Sequence, residues 1–201
     1  MNLRTVRIAA WSAVAIAILV VAAVAIAPRF MPADVPVAAV ATIGGPFELE
    51  DQDGVAVTYD DLHGQKTALF FGYTNCPDVC PTTLMEATTW LEQLGDDGDD
   101  LHVYFVTVDP ERDTRELLAE YLEAFDPRIR GLTGERAAVD EAIESFRVYA
   151  AKVETDDPDY YLMDHTASVY LLDDEAQLVS TISFQEDPDV AMEKLRRLVA
   201  G

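Results

Sequence analysis

The sequence predicts an α/β fold in which a mixed β-sheet is flanked by helices. Two near-continuous apolar runs, TALFFGY and LHVYFVTVD, have the composition of strands that are buried on both faces. Segments with helical spacing of apolar residues follow each run, and two further strand-like segments and a helix close the chain. This order of strands and helices is expected of an α/β sandwich with a mixed sheet.

The first predicted element is an N-terminal β-hairpin. FELEDQDGVAVTYDDL contains two short strand patterns that turn at Asp53–Gly54. The first buried strand then covers Thr67 to Tyr73. After it, PTTLMEATTWLEQLG has apolar residues at positions 84, 87, 91 and 94, which predicts a helix that ends at Gly95.

The second half of the predicted fold begins with a buried strand at residues 101–109. DTRELLAEYLEAF opens with Asp113 and Glu116 at the spacing of a capping box, which predicts the start of a helix. A short IRGLTG segment leads to another helix in ERAAVDEAIESFRVYA, and an irregular acidic stretch follows. The strands ASVYLLD and QLVSTISF then precede a last helix, DPDVAMEKLRRLVA.

An uncharged apolar segment, residues 8–27, precedes this domain. Its 20 residues would form a helix roughly 30 Å long, enough to cross the hydrocarbon core of a bilayer. Two arginines precede the segment and one follows closely, so the positive-inside rule places residues 1–7 in the cytoplasm. A cleaved signal peptide is the alternative, because AIA before Pro28 resembles a small-x-small cleavage site, although the run is longer than a usual h-region.

The expected organisation is a single-pass protein of a bacterial cytoplasmic membrane with its C-terminal domain outside the cytoplasm. Residues 28–46 carry four prolines and show little periodicity, as expected of an extended linker. Residues 47–201 form the predicted globular domain. The net charge of −23, from 37 acidic and 14 basic side chains, argues against nucleic acid as a partner.

The two cysteines, Cys76 and Cys80, lie in FGYTNCPDVCPTTL at the junction of the first buried strand and the first helix. A cysteine pair at this junction is the arrangement of thioredoxin-like proteins, which predicts that fold. If the helix starts at Pro81, Cys80 is its N-cap and the helix dipole lowers the pKa of both thiols. A structural disulfide across so short a loop would stabilise little through loop entropy.

Two chemistries remain open for this pair. Thiol–disulfide exchange usually uses two intervening residues in thioredoxin-like proteins, whereas this pair has three. The wider loop suits two sulfurs that converge on one metal ion, and soft thiolates select copper(I), zinc or an iron–sulfur cluster. Two cysteines are too few for a cluster or a closed zinc site, so a metal site needs a further ligand.

Three histidines are candidates for that ligand. His63 lies in a turn and is expected to face solvent, and His102 begins a predicted strand, where a hydrogen-bonded or exposed histidine is the default. His165 precedes a buried strand, and at the same end of the sheet as the cysteines it would complete a Cys₂His site that suits copper. Spacing alone favours His165 only modestly. Three methionines are soft alternatives that more often serve packing: Met31, Met85 and Met163.

Three motifs in order, FGYTNCPDVCPTTL, VTVDPERDT and YLMDHTASVYLLD, resemble the SCO/SenC family of copper-delivery proteins for cytochrome c oxidase assembly. The resemblance covers about residues 45–200 and agrees with an anchored, exported thioredoxin-like domain. It implies copper, as Cu(I) or Cu(II), bound by Cys76, Cys80 and His165. It also implies delivery to the dinuclear copper centre of cytochrome c oxidase subunit II. Because some relatives are implicated in reducing the cysteines of that target from disulfide to thiols, a thiol–disulfide oxidoreductase is the alternative function.

The hypothetical mechanism follows from the implied ligands. Two thiolates and an imidazole give a three-coordinate copper(I) site that the thiolates of a recipient can attack. Copper(II) would add a fourth ligand, either water or a carboxylate such as Asp164, and Asp164 is also a candidate to orient His165 by hydrogen bonding. A disulfide between the cysteines would abolish metal binding. Another copper donor protein or a thiol reductant is a further candidate partner.

The segment DPERDT, which follows the second buried strand, is expected to be a turn and helix cap with Arg112 and Asp113 exposed. A peroxidase is less well supported than either leading function, because the chain has no resolving cysteine beyond this pair.

Overall fold

A seven-stranded mixed sheet lies at the centre of the part of the chain that the structure describes. This part comprises residues 43–157 and 160–201, with isolated positions 4, 7, 11 and 16 before them. In the computed structural model the strands are β1 (Glu48–Asp51), β2 (Ala56–Thr58), β3 (Lys66–Gly72), β4 (Leu101–Thr107), β5 (Ile129–Thr133), β6 (Ala150–Glu154), β7 (Tyr161–His165), β8 (Ser168–Leu172) and β9 (Leu178–Ser183). Within residues 43–157 and 160–201 the α-helices are α1 (Val79–Leu94), α2 (Arg115–Leu122), α3 (Arg136–Ser145) and α4 (Pro188–Val199).

The order of strands in the large sheet is β2-β1-β5-β4-β3-β8-β9. Strands β3, β4 and β5 are parallel, so the loops that follow them meet at one edge. Strand β8 runs antiparallel to β3 with Val169 opposite Phe70, so the chain that enters β8 arrives at that same edge. Ligand sites of α/β folds commonly form at the carboxyl ends of parallel strands.

The central strands are buried as their apolar sequences predict. Phe71 on β3 is fully buried, and its ring contacts Phe146 and Tyr170 at centroid distances of 5.6 and 6.1 Å. The four apolar positions predicted for the first helix are all buried in α1: Leu84, Ala87, Leu91 and Leu94. The predicted mixed α/β sandwich is therefore confirmed.

The N-terminal hairpin is also confirmed, because β1 and β2 pair antiparallel. The Asp51 carboxylate accepts hydrogen bonds from the backbone N–H groups of Asp53 and Val55, both at 2.9 Å. Gly54 has a φ of 79°, a left-handed conformation that favours glycine. The hairpin lies at an edge of the sheet, with β1 beside β5.

Two predicted helix starts are wrong. Helix α1 begins at Val79 after an N-cap at Asp78, so Cys80 is inside the first turn and is not the N-cap. Pro81 permits this because its missing N–H costs nothing in a first turn. Helix α2 has Thr114 as its N-cap, whose hydroxyl accepts from the Leu117 N–H at 3.3 Å. The predicted capping box that starts at Asp113 is therefore absent.

The stretch predicted to be irregular contains a second hairpin. Strands β6 and β7 pair antiparallel, with Ala150 opposite His165 and Glu154 opposite Tyr161. Their side chains are exposed or half-buried, so no apolar alternation marked them as strands. The short IRGLTG segment likewise contains a strand, β5, which pairs with both β4 and β1.

Apart from positions 11 and 16, the predicted membrane anchor, residues 8–27, lies outside the described residues, and so does most of the predicted linker, residues 28–46. Among the residues that are described, no helix combines the length and hydropathy needed to cross a membrane. The anchor and the linker therefore stay predictions.

Candidate metal site

Two thiols and an imidazole meet at the edge of the sheet where β3 ends. Cys76 lies in the loop after β3, Cys80 lies in the first turn of α1, and His165 is the last residue of β7. The three donor atoms all lie within 4.8 Å of one another, and Cys80 Sγ is 3.5 Å from His165 Nε2. The structure thus brings together the three residues that the sequence analysis nominated as ligands.

The imidazole of His165 is held by one hydrogen bond and two aromatic rings. Its Nδ1 lies 3.1 Å from the backbone oxygen of Thr166, and an Nδ1–H that donates there leaves the Nε2 lone pair facing the cysteines. The rings of Phe70 and Tyr73 contact it edge to face, at centroid distances of 6.0 and 5.8 Å. Burial raises the pKa of Tyr73 to about 12, so this neighbour is a neutral phenol.

His63, His102 and Asp164 are not members of this donor cluster. His63 and His102 are both exposed, as expected. Met85 is exposed on α1 and Met163 is half-buried on β7, whereas Met31 lies outside the described residues. Asp164 is exposed, and its expected role of orienting His165 stays a prediction.

The two cysteines differ in burial. Both are free thiols, but Cys80 is fully buried and Cys76 is only half-buried. The backbone N–H of Cys80 donates to Cys76 Sγ at 3.4 Å. The residues that follow Cys76, Pro77 and Asp78, are exposed, so solvent or a partner reaches the pair from the Cys76 side.

The two thiols also differ in acidity. Hydrogen bonding from the Cys80 thiol, together with His165 and the backbone N–H groups of Asp78 and Cys80, lowers the pKa of Cys76 to about 3 although burial opposes it. The neighbouring Cys76 and burial raise the pKa of Cys80 far above its usual range. The metal-free pair is therefore one thiolate, on Cys76, that accepts a hydrogen bond from one buried thiol.

Comparison with known proteins identifies the family. The family model of SCO1/SenC matches residues 36–200. The chain belongs to the SCO1/SenC family. An SCO2-like protein of Rickettsia conorii is 39% identical to it over 155 residues, which cover 77% of this chain and 76% of the relative.

Solved SCO structures share the fold of this SCO1/SenC chain. Copper-bound ScoI of Bradyrhizobium japonicum is 48% identical, with a TM-score of 0.72 over 78% of this chain and 99% of that chain. Copper-bound yeast Sco1 is 38% identical, with a TM-score of 0.73 over 80% of this chain and 90% of that chain. This likeness confirms the predicted thioredoxin-like arrangement, a central mixed sheet flanked by helices.

The donor set of this SCO1/SenC chain fits a soft metal ion. An ion held about 2.3 Å from each sulfur and about 2 Å from a nitrogen, the lengths known for zinc, needs donor atoms about 4 Å apart. The donors of Cys76, Cys80 and His165 already satisfy this spacing to within small shifts. Thiolate sulfur selects copper(I) and zinc over hard cations such as magnesium, and imidazole suits both copper and zinc.

Sequence reasoning missed a group of polar residues beside the site. Asp113, expected to be exposed, is fully buried, and Arg112, also expected to be exposed, is half-buried. Asp109 is buried as well, and Tyr161 at the start of β7 donates its hydroxyl to the Asp109 carboxylate at 2.9 Å. The sequence predicts only a turn and helix cap in VTVDPERDT, because the contacts of this motif join segments that are distant in sequence.

The acidity of Cys76 predicts how the metal-free, reduced protein reacts with iodoacetamide. We expect one rapid modification, at Cys76, whose rate is nearly constant between pH 5 and pH 9, because a thiol with a pKa of about 3 is already ionised there. Mass spectrometry of quenched samples gives the site and the rate. A rate that rises tenfold for each pH unit up to pH 8 would show that Cys76 is an ordinary thiol.

Because Gly72 has no side chain, the sulfur of Cys80 has room to pack beside it. A Cβ atom at Gly72 would lie 2.6 Å from Cε2 of Phe105 and 2.7 Å from Sγ of Cys80. We expect Gly72→Ala to lower the free energy of unfolding by about 1–3 kcal/mol, the usual cost of overpacking a core, and to displace the Cys80 sulfur. Urea denaturation of the reduced protein measures the loss. Gly45→Ala is the matched control, since its Cβ would meet only Ser145, at 3.4 Å or more.

Proposed function

We propose that this chain binds copper through Cys76, Cys80 and His165 and delivers it to the dinuclear copper centre of cytochrome c oxidase subunit II. The observation that carries the proposal is the meeting of two thiols and one imidazole within 4.8 Å at one edge of the sheet. Thiolate and imidazole donors suit copper(I). Support also comes from the copper-bound structure of a relative that is 48% identical.

Each ligand has a distinct task in this proposal. Cys76 supplies a thiolate that exists before the metal arrives, and Cys80 gives up its proton when copper binds. His165 supplies Nε2 of a neutral imidazole. Copper(II) would add a fourth ligand, either water or the exposed Asp164. Because Cys76 is the accessible sulfur, the thiolates of the recipient displace the ligands from that side.

A thiol–disulfide oxidoreductase is the second candidate, and the acidity of Cys76 favours it. A half-buried thiolate beside a buried thiol can attack a disulfide of the target, and the second sulfur then resolves the mixed disulfide. Two electrons would pass to the target cysteines while Cys76 and Cys80 form a disulfide, and the Cys80 thiol would supply one proton and solvent the other. Since the same two sulfurs hold the metal, each function excludes the other at any one moment.

We also propose the topology that places this domain near its target. Residues 1–7 lie in the cytoplasm, residues 8–27 span the cytoplasmic membrane, and residues 28–46 hold the domain of residues 47–201 away from the bilayer. The full chain should then stay in the membrane pellet after alkaline carbonate extraction. A mature protein that begins after Ala27 and is fully released would contradict the anchor.

A transfer experiment tests the proposed function. The full chain, purified in mild detergent and loaded with one equivalent of copper(I), is mixed anaerobically with the soluble domain of subunit II in its reduced form. After the two proteins are separated, we expect the copper to be on subunit II. Copper that stays on this chain would contradict delivery. If, in addition, the metal-free dithiol reduced oxidised subunit II, the oxidoreductase would replace the chaperone as the leading function.

A further inference from the structure

One short loop, residues 109–113 with the sequence DPERD, contacts both halves of the proposed copper site. It follows β4 and so lies at the edge where the cysteines and His165 meet. The loop is tightly closed, because the N–H groups of Arg112 and Asp113 both donate to the backbone oxygen of Asp109, at 3.1 and 2.9 Å. The ligand set does not include this loop, and neither proposed function explains it.

The first contact of the 109–113 loop is with the cysteine segment. The buried Asp113 carboxylate accepts hydrogen bonds from the Thr74 N–H at 3.0 Å and from the Thr74 hydroxyl at 2.6 Å. It also accepts from the hydroxyl of Thr107, the last residue of β4, at 2.6 Å. Thr74 lies two residues before Cys76, so Asp113 fixes the start of the cysteine segment to the end of β4.

The second contact of the loop is with the hairpin that carries His165. Arg112 Nη1 donates to the backbone oxygen of Tyr161 at 2.9 Å, and Arg112 Nε pairs with the Asp109 carboxylate. The Tyr161 hydroxyl donates to the same carboxylate at 2.9 Å. Tyr161 begins β7 and His165 ends it, so these bonds fix the strand that carries the imidazole.

Arg112 also reaches His165 through an aromatic ring. Its guanidinium carbon lies 3.6 Å from the centroid of the Tyr161 ring and 5.7 Å from that of Tyr73. Both distances are within the range of cation–π contacts. The Tyr73 ring in turn contacts the imidazole of His165 edge to face at 5.8 Å. A planar guanidinium makes these bonds and stacking contacts together, which an ammonium group cannot do.

We propose that the 109–113 loop is a two-sided brace, in which Asp113 positions the cysteines and Arg112 positions His165. The two halves of the site come from segments about 85 residues apart in sequence, as the Cys80–His165 contact shows. The two halves are held at a fixed distance from each other because two adjacent residues of the loop, Arg112 and Asp113, each bind one of them. The consequence for copper rests on the proposed function, whereas the positioning itself is a property of the metal-free protein.

The test compares Arg112→Lys and Asp113→Asn with matched controls in the full chain. Arg112→Lys keeps the charge and loses the planar fork, and Asp113→Asn keeps the size and loses one acceptor oxygen. The control for the arginine is Arg128→Lys, which alters an Arg128–Asp126 pair (2.7 Å) beside the start of β5, at the opposite edge of the sheet. The control for the aspartate is Asp51→Asn, a buried carboxylate in the hairpin turn.

The first readout needs no copper. We expect Arg112→Lys to shift or broaden the imidazole NMR signals of His165 while the iodoacetamide rate of Cys76 stays within twofold of wild type. Asp113→Asn should change the iodoacetamide rate of Cys76 and leave the NMR signals of His165 in place. Both controls should leave the rate and the NMR signals unchanged. If Asp113→Asn does not fold, Thr74→Val, which removes the hydroxyl donor to Asp113, is used in its place.

The second readout is copper(I) affinity in the wild-type and His165→Ala backgrounds. Loss of a group that orients a metal ligand typically costs about 10- to 100-fold in affinity, and we expect Arg112→Lys to show this loss only when His165 is present. Asp113→Asn should show its loss in both backgrounds. The brace would be overturned if Arg112→Lys lost as much copper(I) affinity in the His165→Ala background as in the wild type. It would also be overturned if both variants changed the His165 signals and the Cys76 alkylation rate equally. If the wild type bound no copper, the proposed function would fail and the NMR and alkylation readouts would still decide the brace.

Discussion

Cys80→Ser is expected to abolish stoichiometric copper(I) binding, with an affinity loss of at least about a thousandfold, or about 4 kcal/mol. The substitution replaces a soft sulfur with a hard oxygen that stays protonated, in a position 3.5 Å from His165 Nε2. Cys80 is also fully buried, so bulk water does not contact the position that its sulfur occupies. Anaerobic competition with a copper(I) chelator gives the affinity.

A stability control separates lost ligation from lost folding. A buried serine hydroxyl without a partner costs about 1–3 kcal/mol, so Cys80→Ser is compared with Cys80→Ala, which has no hydroxyl to bury. Urea denaturation of the metal-free proteins measures this difference. We expect both variants to lose copper to the same extent whatever their stability. Binding that stays within tenfold of wild type in either variant would show that Cys80 is not a ligand.

Oxidation of the cysteine pair is expected to remove copper binding as completely as substitution does. The two thiols are free and adjacent, with the Cys80 N–H only 3.4 Å from Cys76 Sγ, so a disulfide forms within one loop. A disulfide sulfur carries no negative charge and is a poor ligand for copper(I). The oxidised chain should bind less than a tenth of an equivalent under conditions that saturate the reduced chain.

Reversal is the control for this prediction. Treating the oxidised chain with a dithiol reductant, then removing the reductant, should restore one equivalent of bound copper. Irreversible loss would indicate damage instead of a disulfide. Copper bound equally by oxidised and reduced chains would contradict a site built on these sulfurs and would leave His165 and carboxylates as the ligands.

The central strands and the first helix could be predicted because their buried apolar residues follow a regular pattern along the chain. TALFFGY and LHVYFVTVD are buried on both faces, so hydropathy alone marks β3 and β4. The apolar stripe predicts helix α1, but the predicted start is two residues late, because proline is common at the first position of a helix and this places the start at Pro81. The hairpin β6–β7 was missed because its strands are exposed or half-buried and carry no alternating pattern.

The cysteine half of the site could be predicted from the sequence, and the histidine half could only be nominated. Cys76 and Cys80 are neighbours in one loop, so their spacing indicates the chemistry directly. His165 lies just before β8 and reaches the cysteines only because β8 runs antiparallel beside β3. This pairing is not evident from any local sequence pattern. Asp113 was predicted to be an exposed cap for the same reason, since Thr74, one of its partners, lies 39 residues away.

X-ray absorption at the copper edge of the loaded full chain would identify the ligands of the metal directly. With one equivalent of copper(I) bound, we expect two sulfur ligands and one imidazole nitrogen. His165→Ala should remove the imidazole signal while both sulfur ligands remain. A wild-type spectrum without imidazole, or one that His165→Ala leaves unchanged, would contradict a site formed by Cys76, Cys80 and His165.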